Sequence, residues 1–267
     1  MEELIVDIMS KKELQNLDKK IIEKELKNFL EKNHNLKKKL ETKDYNKRSE
    51  EYKIVLKEIR RQLRDIYGVF IQKNYSKREK LLEKNSIEEI LKLHKSTKER
   101  LPYYKEVYSK IFEITGKEQT ILDLACGLNP ISYGFLGYKP KYIASEISEK
   151  DLEFIQEFFN KKNINGKTIA IDLVTEQNKL GNIEADICFL FKALDSLETR
   201  KRHISKALIE TLNCKWIVVS FSKISLGGSK KIEKSKRNWL ITFINKKSFT
   251  YKEFEVKNEF FVVIKTK

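Results

Sequence analysis

Residues 120–148 read TILDLACGLNPISYGFLGYKPKYIASEIS. One apolar run closes on Asp123, a lone glycine follows at Gly127 with Asn129-Pro130 behind it, and a second apolar run closes on Glu146. Short apolar runs bounded by turn residues are what a sheet buried on both faces requires of its strands. Similar β-branched runs recur at 167–173, 185–191 and 215–221, with helical spacing between most of them, so the pattern predicts an α/β fold with a mainly parallel sheet. The tail FTYKEFEVKNEFFVVIKTK predicts two more strands around Lys257-Asn258, paired as an antiparallel hairpin at the sheet edge.

Upstream the texture differs. Before Gly116 there is one glycine, Gly68, and one proline, Pro102, and stretches such as KELQNLDKKIIEKELKNFLEKN and EEYKIVLKEIRRQLRDIYGVFI space Leu, Ile and Phe by three and four residues. This predicts an all-helical N-terminal segment. The charged stretch KKKLETKDYNKRSE reads as a loop between helices, and Ser86 with Glu89 reads as the capping box of a further helix.

The 267 residues, 40% of them apolar, suffice for one large domain or a domain with an appendage. No run approaches the roughly 20 apolar residues of a membrane span, and the first residues lack a signal-peptide layout, so a cytoplasmic protein is expected. Cys126, Cys188 and Cys214 lie in apolar runs without CxxC spacing, and His34, His94 and His203 are far apart, so neither a disulfide framework nor a metal site is expected. Against 39 Asp and Glu stand 55 Lys and Arg, a net charge of +16, which favours a polyanionic partner such as nucleic acid; a lysine-biased genome would give the same composition.

A doubly wound sheet binds its ligand at the carboxyl ends of its strands. Asp123 ends the first strand and Gly127 lies in the next turn, where a missing side chain admits a ligand to the backbone. Glu146 ends the second strand, placed to accept from both ribose hydroxyls of a nucleoside. Asp172 ends the third, placed to receive an adenine amino group. Strand-end acids also serve simply as helix caps. If the site is a nucleoside site, a single glycine argues against a dinucleotide, whose pyrophosphate calls for a glycine-rich turn. S-adenosylmethionine carries a cationic sulfonium and no phosphate, and suits an acid-lined pocket better.

The segments ILDLACGLNP, ASEIS, FLFKALDSLE and VVSFSKISLGG, preceded by ILKLHKSTKERLPYYKEVY, resemble the aminoglycoside-resistance 16S ribosomal RNA methyltransferases of the guanine-N7 class, the Arm/Rmt group and its relatives in antibiotic-producing actinomycetes. The combination of His-x-Ser-Thr-x-Glu-Arg with Cys-Gly-x-Asn-Pro carries the resemblance, which runs from about residue 66 to residue 240. It implies a class I S-adenosylmethionine-dependent fold with a seven-stranded Rossmann-like sheet over 76–267 and a helical RNA-docking domain over 1–75. It implies a monomeric enzyme that methylates N7 of guanine 1405, in bacterial numbering, in the small ribosomal subunit.

Carried over by position, the resemblance implies that Arg100 pairs with the methionine carboxylate of S-adenosylmethionine, and that Asp123, Gly127 and Asn129 form its first loop. Glu146 and Ile147 then hold the ribose, Asp172 and Leu173 flank the adenine, Leu190 completes the cofactor set, and Lys192 positions the reactants at the mouth. His94 orients its segment. Phe191, Tyr67 and Phe70 are candidates to stack on an extruded base, and equally candidates for the core. The sequence departs from the family at Ala125, where glycine is usual, at Glu146, where aspartate is usual, and at Asp195, where proline often stands. Two basic clusters are expected to meet RNA. One is Arg60, Arg61 and Arg64 on one helix face; the other spans 223–237 and includes Lys223, Lys230 and Lys231, with Arg237 at its end.

Overall fold

The computed structural model describes residues 1–225 and 230–266. By internal contacts the chain divides into two compact units, Met1–Ser76 and Lys77–Lys267.

The first unit is helical: α1 (Glu2–Met9), α2 (Lys19–Lys32), α3 (His34–Thr42) and α4 (Glu50–Ile66). The stretch expected to be a loop at 37–50 is helical over its first part, because α3 runs on through Thr42 and buries Leu40. The chain turns only at Asp44 and Tyr45, both at positive φ. Helix α4 opens on Ser49, whose hydroxyl accepts from the Tyr52 amide at 3.2 Å, and buries Tyr52, Val55, Ile59 and Leu63 along one stripe.

The second unit begins with α5 (Arg78–Glu83), α6 (Ile87–Leu91), α7 (Lys95–Arg100) and α8 (Tyr104–Thr115). Ser86 stands at the N-cap of α6, but its hydroxyl makes no capping bond and Glu89 pairs with Lys92 at 2.5 Å, so the capping box does not form. The sheet comprises β1 (Thr120–Leu124), β2 (Lys141–Glu146), β3 (Gly166–Ala170), β4 (Glu184–Phe191), β5 (Asn213–Ser222), β6 (Thr250–Val256) and β7 (Glu259–Lys265), in the order β3-β2-β1-β4-β5-β7-β6. The first five strands are parallel; β7 lies antiparallel between β5 and β6, so the expected hairpin forms the edge. Helices α9 (Glu149–Lys161), α10 (Leu194–Arg200), α11 (Ile204–Thr211) and α12 (Asn238–Lys246) complete the unit.

Strand β3 stops three residues short of the expected run. Ile171 still donates to the Glu146 carbonyl at 3.1 Å, but Asp172 turns the chain by accepting from the Val174 amide. The core on one side of the sheet gathers Leu122, Leu124, Ile143, Leu190, Ile217 and Val219 with Leu194, Leu197, Leu208 and Leu240 from the helices. Strand order reverses direction at β1, between β2 and β4, which sets a crevice at the carboxyl ends of β1, β2 and β4.

Candidate functional site

The turn after β1 is built from two left-handed residues, Ala125 and Gly127, both at φ +49°. At Gly127 the glycine is a steric necessity as well, because a Cβ there would lie 2.7 Å from Nε2 of His94. The turn is tied down by Glu146, whose Oε2 accepts from the Gly127 amide at 2.9 Å while Oε1 accepts from the Ile147 amide at 2.8 Å. Each oxygen keeps a further lone pair.

Beneath the turn lies a chain of buried polar groups. Asp123 Oδ2 accepts from Tyr142 hydroxyl at 2.6 Å and from Asn129 Nδ2 at 2.8 Å. Asn129 Oδ1 in turn accepts from Arg100 Nη1 at 3.1 Å and from Tyr104 hydroxyl at 3.0 Å. Arg100, 2% exposed, donates through Nη2 at 2.6 Å and Nε at 3.2 Å to the two oxygens of Glu259, and its guanidinium sits 4.6 Å from the centre of the Phe191 ring. Lys192 follows β4 at φ +56°, anchored by its amide to the Ser220 carbonyl at 3.0 Å; its Nζ lies 2.7 Å from Glu99 and 3.6 Å from Glu259. Glu99, Arg100, Tyr103, Lys192 and Glu259 line one cavity of about 450 Å³.

Burial sets the electrostatics. It pushes Asp123 up to about 6, against the pull of Tyr142, Asn129 and Arg100, and Glu146 up to about 7, against the Ile147 and Gly127 amides. Burial, with Arg100 and Lys192 nearby, drives His94 down to about 3, so the ring that supports Gly127 is neutral at physiological pH. Glu259 resists the same desolvation and stays below its ordinary value because Arg100 and Lys192 face it.

The donor and acceptor chemistry at the ends of β1 and β2 suits S-adenosylmethionine. Asp123 Oδ1 is buried and takes no hydrogen bond in the protein, an acceptor suited to an ammonium group. Glu146, tied to the Gly127 and Ile147 amides, keeps one lone pair on each oxygen, acceptors suited to the two hydroxyls of a ribose. The residues fit the cofactor.

Other sequence-based expectations meet a different outcome. Asp172 lies two residues beyond β3, and its carboxylate takes Arg200 Nη1 and Nη2 at 2.8 and 3.3 Å, the Val174 amide at 3.0 Å and the Thr175 hydroxyl at 3.1 Å. Those four donors match the four lone pairs of a carboxylate, so this arrangement leaves none for an adenine amino group. Leu173 and Leu190 are buried among Leu194 and Leu197. Phe191 is a core ring, stacked 4.6 Å from Phe189 on one side with Arg100 over it, and offers no face to a base.

The basic clusters also divide. Arg61 is exposed and pairs with Glu58 at 2.6 Å and Asp65 at 3.2 Å, and Arg64 is exposed with no ion pair among the described residues. Arg60 instead turns onto the end of α1, donating to the Asp7 carbonyl and to Ser10 Oγ at 2.9 Å. In the second cluster Lys223 pairs with Glu255 and Lys234 with Glu253, while Lys230 and Lys231 are exposed. Arg237 is 5% exposed and pairs with Asp195 at 2.6 Å over the ring of Phe221, so it is not a surface cation. The glycine-rich part of this connection, 226–229, lies outside the described residues. Glu259 was not singled out from the sequence; its signal is a lone acid opening the otherwise apolar strand EFFVVIK.

The sequence model of the ribosomal RNA methyltransferase (FmrO) family matches residues 45–264. The chain belongs to this family. It is 28% identical over 183 residues to a 16S rRNA (guanine(1405)-N(7))-methyltransferase of Frankia casuarinae, covering 67% of this chain and 64% of that protein, just under two thirds of its length. A protein of the same name from Micromonospora rosea is 29% identical over 226 residues, covering 78% of this chain and 81% of its own. The crystal structure of the 16S rRNA methyltransferase RmtF in complex with S-adenosyl-L-homocysteine superposes with a TM-score of 0.81 at 24% identity, over 99% of this chain and 97% of that one. That of the 16S rRNA methylase RmtB superposes at 0.74 and 21% identity, over 100% and 98%. The fold is that of the S-adenosylmethionine-dependent methyltransferases.

Proposed function

We propose that this protein transfers a methyl group from S-adenosylmethionine to N7 of guanine 1405 of 16S rRNA, the reaction named for its relatives. The observation that carries the reading is the relay Glu259–Arg100–Asn129–Asp123 at the strand ends, with one unsatisfied acceptor, Asp123 Oδ1, at its end. When bound, the cofactor supplies an electrophilic methyl group on its sulfonium.

Asp123 Oδ1 accepts from the cofactor's amino group and Arg100 faces its carboxylate, while Asn129 holds the two in register. Gly127 and Ile147 give backbone contact, and Glu146 accepts from the ribose hydroxyls. The adenine end lies at Asp172, which must give up one of its four donors to accept from the amino group, with Leu173 and Leu190 in the apolar core behind it. Lys192, held by Glu99 and Glu259 at the cavity mouth, positions the incoming nucleotide. Guanine N7 has a lone pair and no proton to lose, so the chain needs no general base; orientation and exclusion of water supply the rate. That agrees with a site whose histidine is held near 3 and whose lysine is ion-paired.

The first unit, with exposed Arg61 and Arg64, and the second with Lys230 and Lys231, meet rRNA phosphates of the assembled small subunit as a monomer in the cytoplasm. Among the described residues no helix is long and apolar enough to cross a membrane. The consequence for the cell is aminoglycoside resistance. The test is incubation with 30S subunits and S-adenosylmethionine, followed by mapping of the product. A single added methyl at guanine 1405, with strand scission after borohydride and aniline, is expected; a methyl elsewhere, or RNA that survives that treatment, overturns the assignment.

A further inference from the structure

Arg200 closes α10 on the adenine side of the crevice, and nothing in the family motifs singles it out. Its guanidinium makes a two-pronged pair with Asp172, both side chains largely buried at 12% and 4% exposure. Asp172 lies two residues past β3, whose Ala170 is in register with Glu146, so it lies where the base of a nucleoside held by Glu146 would reach. Yet its lone pairs are already taken by Arg200, Val174 and Thr175.

We propose that Arg200 is a specificity-determining latch: it competes with the exocyclic amino group of adenine for Asp172, and so sets both the affinity and the base selectivity of the cofactor site. The proposal rests on the reading of that site as an S-adenosylmethionine site. A carboxylate saturated by donors binds a further donor only by releasing one. The Val174 amide and Thr175 hydroxyl are fixed by the turn they close, only two and three positions along the chain from Asp172. Arg200 reaches Asp172 from a separate helix, 28 residues away in sequence, on a flexible side chain at the helix end. It is the donor that leaves. A site that must first be released shows an affinity reduced by the fraction of time it is open, so the latch weakens binding of both the cofactor and its demethylated product.

The latch also selects. With Asp172 released, a purine bearing an amino group at C6 is favoured and one bearing a carbonyl is repelled. With Arg200 in place, a C6 carbonyl finds a donor, so the unmodified protein discriminates less than its acid alone would.

The experiment is calorimetric titration of the full chain with S-adenosylhomocysteine and with S-inosylhomocysteine, whose C6 amino group is replaced by a carbonyl oxygen. Wild type, Arg200→Gln and Asp172→Asn are compared, with circular dichroism as a check on folding. Arg200→Gln is expected to bind the adenosyl compound about 10-fold more tightly than wild type, with a preference over the inosyl compound that grows by a similar factor. Asp172→Asn, whose amide can donate to a carbonyl, is expected to shift the preference toward the inosyl compound. If Arg200→Gln leaves both affinities and their ratio unchanged, or weakens the adenosyl compound, Arg200 is a structural anchor and the latch is refuted. Should Arg200→Gln not fold, an Asp172→Asn ratio equal to wild type refutes it alone, since Asp172 then does not meet C6. Failure of wild type to bind either compound would instead overturn the cofactor site itself.

Discussion

Arg100 and Glu259 lie 159 residues apart in the chain and form a two-pronged ion pair with both side chains buried, at 1% and 7% exposure. The pair joins α7, which carries most of the His-x-Ser-Thr-x-Glu-Arg motif, to the first residue of β7, which carries no family motif. Removing one partner strands the other as a buried charge. We expect Glu259→Ala to cost about 3–5 kcal/mol in denaturant unfolding, with Glu259→Gln less harmful because it keeps the shape and one acceptor. A loss below 1 kcal/mol for Glu259→Ala would show that Arg100 finds another partner.

Ala125 occupies a left-handed backbone position at φ +49° where the resembling family usually has glycine. A left-handed alanine is strained by about 1–2 kcal/mol, and glycine returns about half of that through the entropy of the unfolded chain. Ala125→Gly is therefore expected to stabilise the protein by about 0.5–1 kcal/mol, read as a higher midpoint in urea at unchanged slope. A lower midpoint would mean that the Ala125 methyl, packed against the core, outweighs the strain.

Asp123 and Glu146 give two pH dependences of opposite sign. Burial raises both above their unfolded values, to about 6 and about 7, so between those limits the folded protein binds more protons than the unfolded chain. Without cofactor, stability is expected to rise as pH falls from about 8 to about 5, by at most about 3 kcal/mol for each group. Cofactor binding needs the carboxylates ionised, so affinity for S-adenosylhomocysteine should fall on the order of 10- to 100-fold over the same span. Calorimetry and urea unfolding at pH 5.5 and pH 8 check both; affinity that is flat or that rises toward acid contradicts the roles given to these two acids.

How much of this was legible depends on how far apart the cooperating residues lie. The sheet could be read because strands buried on both faces are written as apolar runs, and Asp123, Gly127 and Glu146 because strand ends and turns are local. The run KTIAIDL outlasts strand β3, because Ile171 and Leu173 continue its apolar pattern after the backbone has left the ladder at Ala170. Arg60 was placed with Arg61 and Arg64 from helical spacing, but which arginine faces outward is decided by the end of α1, 50 residues away from it. Arg237 looked like one more cation in a basic connection, and its burial follows from Asp195 and Phe221. The same pair gives the Asp195 carboxylate a counter-charge from its own unit. Glu259 and Arg200 lie beyond sequence reading for one reason: their partners are fixed only by the fold.

The division of the basic residues leads to the last expectation, a separation of function by charge reversal. Arg61 and Arg64 on α4, and Lys230 and Lys231 after the segment 226–229, keep exposed positive charge, whereas Arg60 and Arg237 are bound up inside their own units. If the exposed four contact rRNA phosphates, Arg61→Glu with Arg64→Glu, and separately Lys230→Glu with Lys231→Glu, should each lower 30S binding and methylation while leaving S-adenosylhomocysteine affinity unchanged. Loss of phosphate contacts also flattens the salt dependence, by about 0.7–0.9 in the slope of log K against log salt for each contact removed. Arg237→Ala should behave in the other way: it leaves Asp195 without its partner, uncovers Phe221 and lowers stability first. Binding isotherms of each variant with 30S subunits at several salt concentrations, beside urea unfolding, separate the two classes. Unchanged 30S affinity and salt slope in both double variants would remove these surfaces from the RNA interface.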